Sequence, residues 1–292
     1  MRVAIYGRKI TKQTVPVFQQ FLGLIEKIGW SAVVEAELKM HLEKKWGLTV
    51  KADTFSSFLD FQSGIDMVFS IGGDGTFLKT VSFIRDSQVP ILGINTGRLG
   101  FLANIGIDHL ELAVDLVTKK AFEYQQRSLL KVETERHLFG TENVALNELT
   151  VHKKDTSSMI TVHASLDGKY LNSYWADGLI VSTPTGSTAY SLSCGGPIIT
   201  PGCQVHILTP IAPHNLNVRP VVVPDKMSVK LSCEGRDRNF LINLDGYSKS
   251  LKQGEEVVIT KAAYMINVVK FEDNNFFDTI RNKMHWGVDR RN

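Results

Sequence analysis

The chain has 292 residues, of which 43% are hydrophobic and 22% are charged, and its formal net charge is +3. This length and composition are typical of a folded protein with one large domain or two ordinary ones, and we expect two. So mild a charge does not indicate nucleic-acid binding, and no run of 18 apolar residues predicts a membrane span. The three cysteines lack metal-ligand spacing, which favours reduced thiols in a cytoplasmic protein.

Segments typical of strands and helices alternate through the first third of the chain. The strand-like segments are residues 3–6, 30–36, 66–71 and 89–95. The helix-like segments are residues 14–29, 37–47 and 76–86, and the second of them carries a charged face that we expect to be solvated. This alternation predicts a parallel sheet covered by helices, which is an α/β domain.

After about residue 125 the segments become short and often alternate between apolar and polar residues. Two Asp-Gly pairs, Asp167-Gly168 and Asp245-Gly246, lie where hairpin turns are expected. This part of the chain predicts an all-β domain of the sandwich type. The segment from about residue 274 has a helical pattern. We therefore expect a first domain of residues 1–125, joined by residues 272–292, and a β-rich domain of residues 126–271.

A glycine turn interrupts the apolar segment FSIGGDGTFLKT at residues 72–75. Glycines between a strand and a helix expose backbone N–H groups that suit a phosphate. Asp74 in this turn has two interpretations. It caps the following helix, a role worth about 1 kcal/mol, or it accepts a proton from a hydroxyl while the glycine backbone and a divalent cation hold phosphates.

A second glycine-rich segment covers residues 177–197 and is dense in hydroxyl groups. The hydroxyl residues are Thr183, Thr185, Ser187, Thr188, Ser191 and Ser193. Small residues allow a ligand to approach the backbone, Tyr190 offers a ring for stacking, and Asp177 offers an acceptor for ribose hydroxyls. The alternative is an ordinary Ser/Thr-rich loop. The pair Asn147-Glu148 is a weaker signal, since such a pair in a β segment is usually a solvated face or a turn.

These motifs together resemble those of the NAD kinase family. The matching segments occur in the family's order and are GGDGTFLK at 72–79, GINTGRLGFLA at 93–103, LNE at 146–148, the run at 176–198 and RPVVVPD at 219–225. The glycine turn alone is shared with lipid kinases and phosphofructokinases, whereas the segment TGSTAYSLS is much more specific. Two positions depart from the family pattern: Arg98 stands where His is frequent, and Tyr247 stands where Gln is frequent.

The resemblance implies transfer of the terminal phosphate of ATP to the 2′-hydroxyl of the adenosine ribose of NAD, giving NADP. Asp74 would be the proton acceptor. Gly72, Gly73 and Gly75 would bind the donor, with Lys79 along it, and Phe101 would lie near an adenine. Asn147 and Glu148 would bind the ribose and pyrophosphate of NAD, and Asp177 would lie at its nicotinamide. The adenine and ribose pocket would be lined by Thr188, Ala189, Tyr190, Ser191, Leu192 and Ser193.

The resemblance also implies a Rossmann-like first domain, a β-sandwich-like second domain and a chain end that returns to the first domain. The donor would be ATP or polyphosphate, and Mg²⁺ would arrive with its phosphates rather than in a protein-built metal site, because the eight histidines lack metal spacing. The family favours a homodimer or homotetramer, with neither nucleic acid nor membrane as partner. A lipid kinase and a catalytically silent nucleotide-binding regulator are the alternatives.

Overall fold

The computed structural model describes residues 1–8, 10–62, 64–97, 99–154, 158–272 and 275–285. The chain divides into two compact units. The first unit contains Met1–Gln125 and Ile266–Asn292, and the second contains Gln126–Met265. Among the described residues, no helix is long and apolar enough to cross a membrane.

The first unit is built on a parallel sheet with helices between its strands. Its first seven strands are β1 Arg2–Gly7, β2 Ser31–Glu35, β3 Asp53–Phe55, β4 Met67–Gly72, β5 Ile91–Asn95, β6 Ile105–Gly106 and β7 Glu123–Arg127. Its first four helices are α1 Val15–Lys27, α2 Ala36–Trp46, α3 Asp74–Ile84 and α4 Leu110–Thr118. Short 3₁₀ turns cover Phe58–Phe61 and Ile107–His109. The α/β prediction is confirmed.

Buried apolar runs explain why these strands lie inside the sheet. All six residues of β4 are buried, as are five of the six in β1, which is typical of parallel strands covered on both faces. The strand order is β3-β2-β1-β4-β5, followed by Ile266–Lys270 and β7. The carboxyl ends of β1 and β4 therefore lie side by side, and the glycine turn follows β4.

The second unit contains two six-stranded sheets, whose strands are β8 Leu130–Thr134, β9 Val144–Ala145, β10 Glu148–His152, β11 Ile160–Leu166, β12 Lys169–Ala176, β13 Gly178–Ser182, β14 Val205–Ile211, β15 Val221–Pro224, β16 Val229–Glu234, β17 Asn239–Leu244, β18 Tyr247–Lys252 and β19 Val257–Lys261. A 3₁₀ turn, Gly186–Thr188, and the short helix α5, Tyr190–Ser193, follow β13. One apolar core takes side chains from both sheets, among them Val151, Val181 and Leu231. The prediction of a sandwich-like β domain is confirmed.

Both Asp-Gly pairs form the predicted hairpin turns. Asp167-Gly168 joins β11 to β12, and Asp245-Gly246 joins β17 to β18. All four residues have positive φ angles, between 45° and 92°. Such angles favour Asp and Gly, because a short polar side chain or none avoids the clash that larger residues suffer there.

The chain end differs from the predicted domain boundary. We expected residues up to 271 in the β-rich domain, but the last strand, β20 Ile266–Lys270, lies in the sheet of the first unit, where Val268 pairs in parallel with Ile91. The short strand bears no local mark of its partner, which is far away in sequence. The helix α6, Phe276–Met284, follows in the same unit.

Candidate active site

The glycine turn joins β4 to α3 in the first unit. A Cβ on Gly72 would lie 2.3 Å from the Thr76 hydroxyl oxygen, so this position requires glycine. Gly73 and Gly75 are exposed, and no atom outside the turn lies within 4 Å of where a Cβ would stand. The turn therefore leaves open space beside the N-terminus of α3, where backbone N–H groups and the helix dipole favour an anion.

Asp74 is the first residue of α3 and does not cap it. The capping position belongs to Gly73, whose backbone is extended, and Asp74 lies one residue further on. The interpretation of Asp74 as the helix cap is therefore wrong. Its carboxylate instead turns away from α3 toward the loop that follows β5.

The Asp74 carboxylate accepts three hydrogen bonds from consecutive backbone N–H groups. The N–H groups of Leu102 and Ala103 donate to Oδ1, and that of Phe101 donates to Oδ2, each at 3.0 Å. Charge-assisted bonds of this kind fix the position of a carboxylate. Lys283 of α6 adds a cation 3.6 Å from Oδ2.

The loop that holds Asp74 depends on a glycine that the sequence analysis did not select. A Cβ on Gly100 would lie 1.9 Å from the Asp74 Oδ1 atom, so a side chain there and the carboxylate exclude each other. Gly100 lies in the segment GINTGRLGFLA that supports the family resemblance, but the motif alone does not say which glycine faces the carboxylate. Arg98, in the same segment, lies outside the described residues.

The two other nucleotide-binding candidates of the first unit flank this arrangement. Lys79 lies on α3, with its amino group 5.9 Å from the centre of the Phe83 ring. Phe101 contributes its backbone N–H to Asp74, and its ring lies 4.5 Å from the Lys283 amino group and 6.3 Å from the Phe276 ring. Phe101 thus has a structural role beside any contact with a base.

In the second unit, Asp245 holds the backbone of Asn147 and Glu148 where β10 begins. The Asp245 carboxylate accepts backbone N–H groups from Leu146 at 2.6 Å and from Asn147 and Glu148 at 3.0 Å. Asn147 is buried and Glu148 is half-buried. The interpretation of the pair as a solvated face is therefore wrong. From the sequence, Asp245 was predicted only as a hairpin residue.

Burial raises the pKa of two neighbouring acids, Asp245 and Glu148. It raises the pKa of Asp245 to about 6, against the effect of the three N–H groups. Burial, with the nearby Asp245 charge adding to it, raises the pKa of Glu148 to about 8. Two neighbouring acids of which one is protonated near neutral pH can both accept and donate hydrogen bonds, which suits ribose hydroxyls.

Several hydroxyls of the Ser/Thr-rich segment hold the segment itself. The Thr183 hydroxyl donates to the Leu146 carbonyl at 2.5 Å, and the Ser187 hydroxyl donates to the Pro184 carbonyl at 2.6 Å. Ser191 is fully buried and shares a hydrogen bond of 2.8 Å with Thr209. The Ser191 side chain therefore anchors α5, and the expected contact of this residue with a ligand stays a prediction.

The remaining members of that segment are accessible. Tyr190 and Ser193 are exposed, and Thr188, Ala189 and Leu192 are half-buried. Burial, and then the neighbouring Cys194, raise the pKa of Tyr190, with Asp177 contributing. Burial, with Glu148 adding to it, raises the pKa of Cys194. Tyr190 therefore lies within electrostatic reach of Asp177, and Cys194 lies within electrostatic reach of Glu148.

Asp177 carries a partner that the sequence did not reveal. Its carboxylate forms an ion pair of 2.6 Å with Lys153, which follows β10. β10 pairs with β13, so that Glu148 faces Ser182 at one end and His152 faces Gly178 at the other. Asp177 precedes Gly178 and its carbonyl accepts the N–H of Lys153, so five residue steps separate it from Glu148, roughly 17 Å along the strand. Glu148 and Asp177 therefore lie at opposite ends of one strand pair.

No group of three or more His, Cys, Asp or Glu residues within the described part of the chain is arranged to hold a metal ion. The residues present therefore do not fit a protein-built metal site. Tyr247, at the second departure from the family pattern, is an exposed residue that opens β18.

Comparison with known proteins decides the family. The model of the ATP-NAD kinase N-terminal domain matches residues 3–122, and that of the ATP-NAD kinase C-terminal domain matches residues 146–271. The chain belongs to the NAD kinase family. The resemblance seen in the motifs is confirmed, and the protein is an enzyme of the kinase class.

Relatives in this family match along the whole chain. An NAD kinase of Flavobacterium psychrophilum is 43% identical and one of Cytophaga hutchinsonii is 42% identical, each with both chains fully covered. Among solved structures, an NAD kinase of Archaeoglobus fulgidus in complex with ATP is 25% identical, with a TM-score of 0.76 over 96% of this chain and 99% of that one. A yeast NADH kinase complexed with NADH shares the fold, with a TM-score of 0.88 over 99% of this chain and 88% of that chain, at 22% identity.

Proposed function

We propose that the protein transfers the γ-phosphate of ATP to the 2′-hydroxyl of the adenosine ribose of NAD, giving NADP and ADP. The observation that carries the proposal is the Asp74 carboxylate, which stands beside an open glycine turn and is held by three backbone N–H groups. An acid in an anion site is useful only if it faces something other than the phosphate. A hydroxyl that must lose its proton meets that requirement.

The hydrogen bonds suggest which oxygen of Asp74 acts. Two N–H groups occupy Oδ1, whereas one N–H group and the more distant Lys283 face Oδ2. A carboxylate oxygen accepts about two hydrogen bonds in its plane. Oδ2 therefore retains room for the 2′-hydroxyl of the acceptor.

In the proposed reaction the 2′-oxygen forms a bond to the γ-phosphorus while the bond from that phosphorus to the β–γ bridging oxygen breaks. The proton of the hydroxyl passes to Asp74 Oδ2, and ADP leaves with the bonding electrons. The glycine-turn N–H groups stabilise negative charge on the transferred group. Because the described residues do not build a metal site, a divalent cation would be held by the donor phosphates, whose charge it would neutralise.

The role of binding NAD falls to the second unit. Glu148 and Asp177 lie at opposite ends of the β10–β13 pair, and the roughly 17 Å between them suits an extended dinucleotide. Glu148 and Asn147 would bind ribose hydroxyls, and the exposed Tyr190 ring would stack on a base. Asp177 would accept hydrogen bonds at the far end, with Lys153 offsetting its charge.

Two further proposals concern surroundings and assembly. The described chain has three free cysteines, one of them exposed, which supports a reducing cytoplasmic location. The second unit exposes large apolar side chains, including Trp175 at 52% and Leu216 at 84%, which supports self-association as a dimer or tetramer. Light scattering of the purified protein would measure the subunit number.

The decisive experiment is NADP formation by the wild-type protein and by Asp74→Asn. The variant should bind NAD with near-normal affinity but lose at least about 100-fold in kcat, because general-base catalysis contributes roughly 10²–10⁴. Asp115→Asn, which removes an exposed carboxylate on α4 that pairs with Lys119, is the charge-matched control. Normal turnover by Asp74→Asn would sink the assignment.

The same assay separates the alternatives. NAD and NADH should each be crossed with ATP and polyphosphate, with diacylglycerol as a third acceptor. Phosphorylation of diacylglycerol alone would indicate a lipid kinase. NAD binding by calorimetry without NADP formation in the presence of ATP and Mg²⁺ would indicate a regulator.

A further inference from the structure

The helix α6 packs against the loop that holds Asp74, and both belong to the first unit. Phe276, Ile280 and Lys283 are spaced by four and then three residues and so share one face of the helix. Ile280 on this face is buried. The Phe276 ring lies 6.3 Å, and the Lys283 ammonium 4.5 Å, from the centre of the Phe101 ring. The last helix of the chain therefore contacts the residue whose backbone N–H donates to Asp74 Oδ2.

The Lys283 ammonium lies near a carboxylate as well as an aromatic ring. Its nitrogen is 3.6 Å from Oδ2 of Asp74, a distance within the range of an ion pair but too long for a hydrogen bond. Its distance from the centre of the Phe101 ring is in the range of a cation–π contact. The ammonium thus brings positive charge to Oδ2 without using a lone pair of that oxygen.

A cation in this part of α6 also has a simpler explanation. Arg281 and Lys283 both stand in the last turn of the helix, where the helix dipole favours positive charge. Their partners distinguish them, because Arg281 pairs with Asp278 of the same helix whereas Lys283 reaches Asp74 on α3. The dipole therefore accounts for the presence of both cations but not for the direction of Lys283.

An acid beside the glycine turn creates an electrostatic problem that a cation solves. The proposed reaction brings a triphosphate to the glycine-turn N–H groups, close to the Asp74 carboxylate, and like charges at such short range repel each other. The three N–H groups that bind the carboxylate are dipoles and leave its net charge in place. The Lys283 ammonium carries a full positive charge, and it lies on the Oδ2 side, where the acceptor hydroxyl would bind.

We infer that Lys283 is a positioning residue for the transfer, because its ammonium offsets the charge of the Asp74 carboxylate and so allows that carboxylate to stand beside the phosphates. This inference rests on the proposed function, and it makes the last helix of the chain part of the machinery of the reaction. Lys283 acts through Asp74 and requires no contact with NAD. A neutral side chain at position 283 should therefore slow the transfer without weakening NAD binding.

The first test compares two cations of α6. Lys283→Met keeps an unbranched apolar side chain and removes the charge, and Arg281→Met removes a cation that pairs within the helix. Lys283→Met should lower the kcat of NADP formation at least about fivefold at an unchanged KM for NAD, whereas Arg281→Met should keep the wild-type kcat. A kcat of Lys283→Met within about twofold of that of Arg281→Met would overturn the inference, as would a clear rise in its KM for NAD.

A conservative variant tests whether the charge is what matters. Lys283→Arg keeps the positive charge on a long side chain, and its kcat should exceed that of Lys283→Met at least about threefold. Equal kcat values in these two variants would mean that the charge at position 283 does not serve the transfer.

A double variant separates an effect through Asp74 from a general loss of structure. In Asp74→Asn there is no carboxylate charge to offset, so adding Lys283→Met should change the residual turnover by less than about twofold. An equal fold-loss in the wild-type and Asp74→Asn backgrounds would show that Lys283 acts independently of Asp74, which contradicts the inference.

The same measurements distinguish failure of this inference from failure of the proposed function. If the wild-type protein formed no NADP, the proposed function and the inference would both be refuted. If Asp74→Asn kept normal turnover, the role of Asp74, and with it that of Lys283, would be refuted. If the wild-type protein formed NADP, Asp74→Asn lost turnover and Lys283→Met kept the wild-type kcat, the inference alone would be refuted.

Discussion

Replacing Gly100 with alanine should displace the Asp74 carboxylate, the proposed proton acceptor, without changing any side chain proposed to bind ligands. The added Cβ would lie 1.9 Å from Oδ1 of Asp74, more than 1 Å inside an ordinary contact. Since Gly100 has no positive φ angle, the effect would come from this collision and not from backbone strain. Gly97 in the same loop is the matched control, because a Cβ there would meet nothing within 4 Å.

The magnitude follows from the hydrogen bonds that Oδ1 would lose. The N–H groups of Leu102 and Ala103 each donate to Oδ1 at 3.0 Å, and a bond to a charged group contributes about 1.5–3 kcal/mol. The Asp74 side chain is 33% exposed, so water would replace part of the hydrogen bonding that Oδ1 loses. We expect a loss of about 2–4 kcal/mol in the free energy of unfolding and about a 100-fold fall in kcat, because a 1 Å misplacement costs that much.

The assay is NADP formation under saturating ATP, with denaturant unfolding of the same samples. Gly100→Ala should lose turnover while its KM for NAD changes little, and Gly97→Ala should resemble the wild-type protein in both measurements. If Gly100→Ala kept a kcat within about threefold of Gly97→Ala, the fixed carboxylate would not be what catalysis requires.

Two further predictions concern pH and are measured as the free energy of unfolding without NAD. The raised pKa of Glu148, about 8, means that the folded protein keeps a proton that the unfolded chain releases above about pH 4.5. The free energy of unfolding should therefore decline by a few kcal/mol from about pH 4.5 to 8. The variant Glu148→Gln should remove that decline. Burial lowers the pKa of His206 to about 4, so the unfolded chain binds the proton first on acidification. Stability from this group should fall by about 2–3 kcal/mol from about pH 6.5 to 4, and His206→Leu should remove that fall. A variant curve parallel to the wild-type curve would contradict the corresponding assignment.

Local patterns were enough to predict the two kinds of domain. Buried apolar runs alternating with helical periodicity specified the parallel sheet, and the Asp-Gly pairs at 167–168 and 245–246 specified hairpins, because these signals act over a few residues. The placement of β20 was missed for the opposite reason. Its pairing joins Val268 to Ile91, and nothing within five residues of either position records the other.

The same limit applies to the candidate site. The glycine turn and the acid in it were visible in the sequence, but the N–H groups that hold Asp74 lie 27 to 29 residues further on. Asp245 was seen as a turn residue, whereas its second role joins it to a loop almost 100 residues earlier. Lys153 and Gly100 likewise acquire meaning only from a partner that folding brings to them.

Both units hold an aspartate by three consecutive backbone N–H groups rather than by side chains. Asp74 uses residues 101–103, and Asp245 uses residues 146–148. Every amino acid except proline supplies such a donor. The hold on these two carboxylates therefore does not depend on which side chains the two loops carry. Among substitutions at Phe101 and Asn147, proline is therefore the one that would remove a backbone donor and weaken the hold on the aspartate.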